Sequence, residues 1–135
     1  MIPSWLNNYI GIPYRENGRD RDGCDCWGLL ALIYAEQLGT PLPEYTGKRW
    51  EHGDKADQIG PGAATYASMF ELIQPGTERL GDGVLIRMRG HPLHVGMVVE
   101  PGWMIHAHEG ADACLEQYRR PEWEKRVLGF YRYLA

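Results

Sequence analysis

Asp22-Gly-Cys-Asp-Cys-Trp-Gly-Leu-Leu-Ala-Leu-Ile-Tyr-Ala-Glu-Gln-Leu38 is a tight turn running into an apolar helical pattern, and it holds two of the chain's three cysteines. Leu29, Leu30, Ile33, Tyr34 and Leu38 recur at helical spacing, giving a face wide enough to pack on a core. Gly39 and Pro41 end the pattern. Asp25 is suited to cap the helix, which would put Cys26 at the first helical position. Free backbone N–H groups and the positive end of the helix dipole favour thiolate over thiol there. The same position also suits an ordinary buried cysteine, the commoner state of that residue.

Outward from this stretch, composition narrows the options. The 135 residues fit one domain spanning 1–135, with no repeat or linker to divide it. Net charge is −4 and the 14 basic residues are scattered, which excludes a basic nucleic-acid-binding face. No apolar run reaches the roughly 20 residues of a membrane span. The N-terminal Met-Ile-Pro-Ser-Trp lacks the pattern of a secretory signal, so synthesis in the cytoplasm without a signal peptide is expected. Three cysteines (Cys24, Cys26, Cys114) cannot all pair, so a disulfide framework is not expected and at least one thiol is free.

Along the chain, Pro3–Tyr9 reads as a short first helix with Trp5, Leu6 and Tyr9 on one side. Residues 15–23 read as a polar loop, and 41–45 as extended. Residues 48–62 suggest one or two helical turns. Tyr66, Met69, Phe70 and Ile73 fall at helical spacing and predict a helix over 63–73. Strands then follow at 83–88, 94–99, 103–108 and 113–118, a helical turn at 121–125, and a last strand at 127–134. Helices first and a strand meander afterwards predict an α+β domain, its helices packed on an antiparallel sheet of five to six strands.

Four of the five histidines, His91, His94, His106 and His108, lie within eighteen residues on this meander. Period-two alternation puts His106 and His108 on one face of their strand. A cysteine at a helix start opposite strand histidines suits nucleophilic catalysis: one imidazole takes the thiol proton and a further polar group orients it. The backbone N–H of Cys26 is then a candidate oxyanion donor. His91 precedes Pro92 in a turn and reads as solvated, Asp82 as a turn residue, and Cys114 as a buried strand residue. Cys24 and Cys26 are spaced more tightly than usual zinc pairs, so no metal is expected.

These residues carry a resemblance. Asp25-Cys26-Trp27-Gly28-Leu29 resembles the nucleophile motif of the NlpC family of papain-like cell-wall cysteine peptidases, in the small form found with long-tailed phages and prophages. Tyr14 stands where that family has an active-site tyrosine. Gly81-Asp82-Gly83-Val84-Leu85 resembles its Gly-Asp strand start, and His94-Val-Gly-Met with Ile105-His106-Ala107 resembles its base and orienting partner. Val127-Leu-Gly-Phe-Tyr-Arg132 resembles the closing strand. The resemblance implies a papain-like fold with Cys26 as nucleophile, His94 as base and His106 as its orienting partner, with His108 the alternative. It implies oxyanion or substrate contacts from Tyr14 and Asp25, and no cofactor. Trp27 replaces a serine that contacts substrate in many members, and is read either as a substrate-facing indole that admits glycan-linked stems or as packing.

The implied activity is hydrolysis of peptidoglycan stem peptides at the bond between D-γ-glutamate and the following diamino acid. Phage tail-tip proteins are the implied partners, and the cell wall, reached on a tail particle, the implied place of action. The alternatives are a non-catalytic tail-assembly protein, and an amidase or acyltransferase using the same cysteine and histidines.

Overall fold

A computed structural model of the chain describes residues 2–42, 70–88 and 91–134. The apolar face that starts at Leu29 forms helix α1, Cys26–Gln37, with Leu29, Leu30, Ile33 and Tyr34 buried. They share one apolar cluster with Met97, Val99, Ile105 and Ala107 of the sheet. Among the described residues, eight strands accompany the helix. β1 (Arg19–Asp20) and β2 (Gly23–Cys24) make a two-residue hairpin just before α1. β3 (Phe70–Ile73), β4 (Gly83–Met88), β5 (His91–Glu100), β6 (Trp103–His108), β7 (Ala111–Gln117) and β8 (Val127–Tyr133) form one sheet in the order β3-β8-β4-β5-β6-β7. Every neighbour in it is antiparallel. The expected α+β architecture is therefore present, with six strands in the main sheet.

Alternation along β5 and β6 divides the core into two layers. Met97, Val99, Ile105 and Ala107 face α1. Val98 and Met104 join Val84, Ile86, Phe130, Tyr118 and Trp123 on the opposite face. Trp123 comes from the short helix α2, Pro121–Glu124, with proline in its first turn.

Between β5 and β6 the described pairing runs from Glu100↔Trp103 through Val98↔Met104 to Met97↔Ile105. Beyond that point β5 stays registered on β4, through Ile86↔His94. β6 stays on β7, through His106↔Cys114. The sheet thus forks where its histidines lie.

Several expectations need correction. Residues 70–73 are strand, not the end of a helix, and hydrogen-bond along β8 from Phe70↔Tyr133 to Ile73↔Phe130. Phe70 packs with the α1 layer and Ile73 with the opposite one, as an odd separation in a strand requires. A spacing of three is shared by a helix face and by the two faces of a strand, which is why periodicity misled here. Residues 63–69 of that expected helix, 48–62 and 43–45 lie outside the described residues. The first helix is a single 3-10 stretch, Ser4–Asn8. The loop over 15–23 contains the β1–β2 hairpin, and β5 begins at His91 rather than His94.

Candidate active site

Asp25 has the extended backbone of an N-cap, and its Oδ1 accepts from the Gly28 N–H at 2.7 Å. The same oxygen accepts from Arg19 at 2.8 Å, while Oδ2 accepts from the Asn17 N–H at 3.0 Å. One buried carboxylate therefore ties the helix start to the preceding loop. Gly28 lets the two approach: a Cβ there would lie 2.0 Å from the Gly18 carbonyl oxygen. Asp25 thus fills the capping half of its expected role, with both oxygens engaged by the protein's own donors.

Cys26 begins α1 as expected, and its side of the helix meets the fork in the sheet. The cysteine lines a seam with Leu29, Leu30, Ile33, Gly96, Met97 and Ile105. Burial pushes the thiol up to about 11 and the Asp25 charge adds to this, while hydrogen bonds from the backbone N–H groups of Val95 and Trp27 oppose it. The helix start alone predicts a lowered thiol. Desolvation of the charged form outweighs the backbone donors here.

His94 and His106 come together across the fork, with His94 Nε2 2.7 Å from His106 Nδ1. Both rings are buried. Burial, then the neighbouring His106 and His108, holds His94 well below the ordinary histidine range. Burial first, then His108, lowers His106 to about 3. Both are therefore neutral near pH 7. Nδ1 of His94 is then the nitrogen left for a thiol proton. In that state His94 Nε2 carries a hydrogen, His106 Nδ1 accepts it, and His106 holds its own hydrogen on Nε2. Gly96 makes room for this arrangement, since a Cβ there would meet His106 Cβ at 3.2 Å.

His108 lies farther out on the strand. Its ring centroid is 5.7 Å from that of His94, and its Nδ1 is 3.1 Å from the Glu109 carbonyl oxygen. The fork therefore favours His106 over His108 as the orienting partner. Tyr14 is held beside the nucleophile by a bridge to Cys24. Burial, then the charge of a Cys26 thiolate, raises its hydroxyl to about 12, so it stays protonated and able to donate. Trp27 is 6 % exposed and belongs to the core cluster with Leu6, Tyr9 and Ile12. That corrects the reading of a substrate-facing indole: the second helical position turns inward. Cys24 is buried with Sγ 3.0 Å from the Asp20 carbonyl oxygen. Asp82 is held by Arg132 at 2.8 and 3.0 Å, as a structural turn residue.

The family model for the NlpC/P60 family matches residues 11–132. The chain belongs to the NlpC/P60 family. Among characterised proteins, it is 27% identical over 128 residues to the murein DD-endopeptidase MepS/murein LD-carboxypeptidase of Escherichia coli, covering 95% of this chain and 59% of that one. It is 26% identical over 128 residues to the gamma-DL-glutamyl hydrolase of Bacillus subtilis, covering 93% of this chain and 27% of that one. The chain thus spans about three fifths or less of these relatives. Among solved structures, the NlpC/P60 domain of the peptidoglycan hydrolase SagA superposes with a TM-score of 0.61 at 21% identity, over 95% of this chain and 92% of that one. A family protein of Bacillus cereus gives 0.67 at 21% identity, over 100% and 42%.

In this NlpC/P60 domain one neighbour of the histidines went unread in the sequence. Trp123 sets its indole edge-to-face with His106, at 4.9 Å between centroids, and 6.2 Å from His108. A lone tryptophan in a four-residue helical turn was the available signal, and nothing in its spacing tied it to the histidine strand.

Proposed function

We propose that the domain is a cysteine endopeptidase of peptidoglycan stem peptides, cleaving between D-γ-glutamate and the following diamino acid. The observation that carries the chemistry is the 2.7 Å contact of His94 Nε2 with His106 Nδ1, on a strand whose Val95 N–H, the next residue after His94, donates to the Cys26 sulfur at the start of α1. The thiol proton moves to His94 Nδ1 as Sγ attacks the scissile carbonyl carbon. His106 accepts from the imidazolium that forms. The Cys26 backbone N–H and the Tyr14 hydroxyl suit the developing oxyanion. The C–N bond breaks and His94 returns its proton to the leaving amine. Water, deprotonated by His94, then hydrolyses the thioester and frees Cys26.

Family membership supports the substrate class, and the name of the Bacillus subtilis relative, a gamma-DL-glutamyl hydrolase, supports the γ-glutamyl bond. The Escherichia coli relative's name gives a second reading, cleavage at a D-alanyl cross-link or a terminal L,D-bond. Purified muropeptides of defined stem length and cross-linking, analysed by mass spectrometry, separate these. The expected product is a free peptide beginning with the diamino acid, absent with Cys26→Ala. Monomers released from cross-linked dimers would select the second reading. Release of whole stems from glycan would mark an amidase, and transfer to an added amine an acyltransferase. No product would mark a non-catalytic protein. Neither the family nor the named relatives lend support to delivery on a phage tail.

A further inference from the structure

His106 has a second nitrogen that the reaction does not use. Its Nε2 is buried and has no hydrogen-bond partner among the described residues. β6 lies between β5 and β7, and Nδ1 of His106 is turned to His94 on β5. On the other side, Cys114 pairs directly with His106 across the β6–β7 ladder, and Glu116 pairs with Met104, so both stand on the His106 face. Cys114 Sγ is 3.9 Å from Glu116 Oε2. One atom each from His106, Cys114 and Glu116 lies within 4.8 Å of the others. A tetrahedral zinc ion would draw such atoms to about 3.5 Å apart. Imidazole, thiolate and carboxylate are a zinc-type donor set that leaves a fourth position for water.

We infer that His106 Nε2, Cys114 Sγ and a Glu116 carboxylate oxygen form an inhibitory site for zinc or a similar borderline divalent ion. Binding releases the Cys114 thiol proton to solvent. The hydrogen on His106 Nε2 is displaced, the one on His94 Nε2 passes to His106 Nδ1 and a solvent-exchanged one returns to His94 Nδ1, so that the imidazole pair keeps its two hydrogens. A neutral imidazole bound through Nε2 keeps its hydrogen on Nδ1. His106 then donates to His94 Nε2 instead of accepting from it. His94 must carry its own hydrogen on Nδ1, the nitrogen that should take the thiol proton. The metal thereby switches off the base without touching Cys26. This mode of inhibition rests on the assignment of His94 as base; the binding itself does not.

The test titrates zinc and cobalt into the metal-free full chain, by calorimetry and by the thiolate-to-cobalt charge-transfer band. Wild type and Cys26→Ala should each bind one ion and show that band. Cys114→Ala and Glu116→Gln should weaken binding about tenfold or more. Muropeptide cleavage by wild type should fall as the site fills, while the Cys114→Ala and Glu116→Gln enzymes keep their metal-free activity at the same zinc concentration. No binding at micromolar metal, or binding lost in Cys26→Ala and kept in Cys114→Ala, overturns the site. Binding as described with undiminished cleavage overturns the inhibition. If the metal-free chain cleaves nothing, the proposed activity fails, and the inhibition with it, while the binding results still decide the site.

Discussion

His94 spends Nε2 on His106, so a thiol proton has Nδ1 to go to, and the value of His106 is that it fixes this choice. Replacing His106 with leucine should lower kcat by about a hundredfold or more with little change in KM, because orientation acts in the transition state. His106→Asn, whose amide oxygen can still accept, should retain more. His108→Ala should have the smaller effect; steady-state kinetics on a soluble muropeptide decides the order. Burial also sets the pH response. The reactive form of His94 is its neutral form, and its folded value lies well below 6.5. The kcat/KM profile should therefore show no acid limb near pH 6.5. Iodoacetamide labelling of Cys26 without substrate should climb steadily toward pH 11, the value burial gives the thiol. An acid limb at 6.5 with fast labelling at neutral pH would instead indicate a preformed thiolate–imidazolium pair. The residues of this site were legible because cysteine and histidine types at motif spacing announce their chemistry. Their protonation was not, since it depends on desolvation that only the packed sheet creates.

Helix α1 was readable because three local signals agree on it: the cap, the apolar face and the Gly39–Pro41 stop. Asp25 does more than a cap does, holding Gly28, Arg19 and Asn17 together. Asp25→Ala should cost about 2 kcal/mol or more in chemical denaturation, beyond an ordinary lost cap, because buried donors are stranded. Asp25→Asn should lose less, as it keeps the acceptor for Gly28. β3 was illegible for the opposite reason. Phe70 and Ile73 are specified by contacts with β8, some sixty residues away, and local spacing cannot distinguish a helix from a strand that serves two core layers. The fork between β5 and β6 was equally hidden, because a ladder's end leaves no mark in a chain that alternates correctly on both sides.

Across the whole molecule the buried neutral histidines make stability depend on acidity. His106 has a folded value of about 3 against an ordinary 6.5, so the unfolded chain binds its proton first as pH falls. Stability from this group is complete above 6.5 and is lost on acidification toward 3, at about 1.4 kcal/mol for each pH unit. Thermal unfolding should show Tm dropping through that window, with a shallower drop in His106→Asn. The sheet also has two ends of unlike character. At β7, the Gly11 N–H donates to the Ala113 carbonyl at 2.8 Å and the Ala113 N–H to Ile12 at 2.9 Å, so the chain's own opening segment closes that border. At the other end, the outermost strand among the described residues, β3, is only four residues long, with Glu71 and Leu72 exposed. Unmatched strand borders recruit other chains. Loss of the first twelve residues would uncover a seven-residue template beside a chain already weakened by the missing Leu6, Tyr9 and Ile12. A proteolytic clip in the Gly11 turn would therefore favour fibrillar self-association, and its rate should rise with concentration.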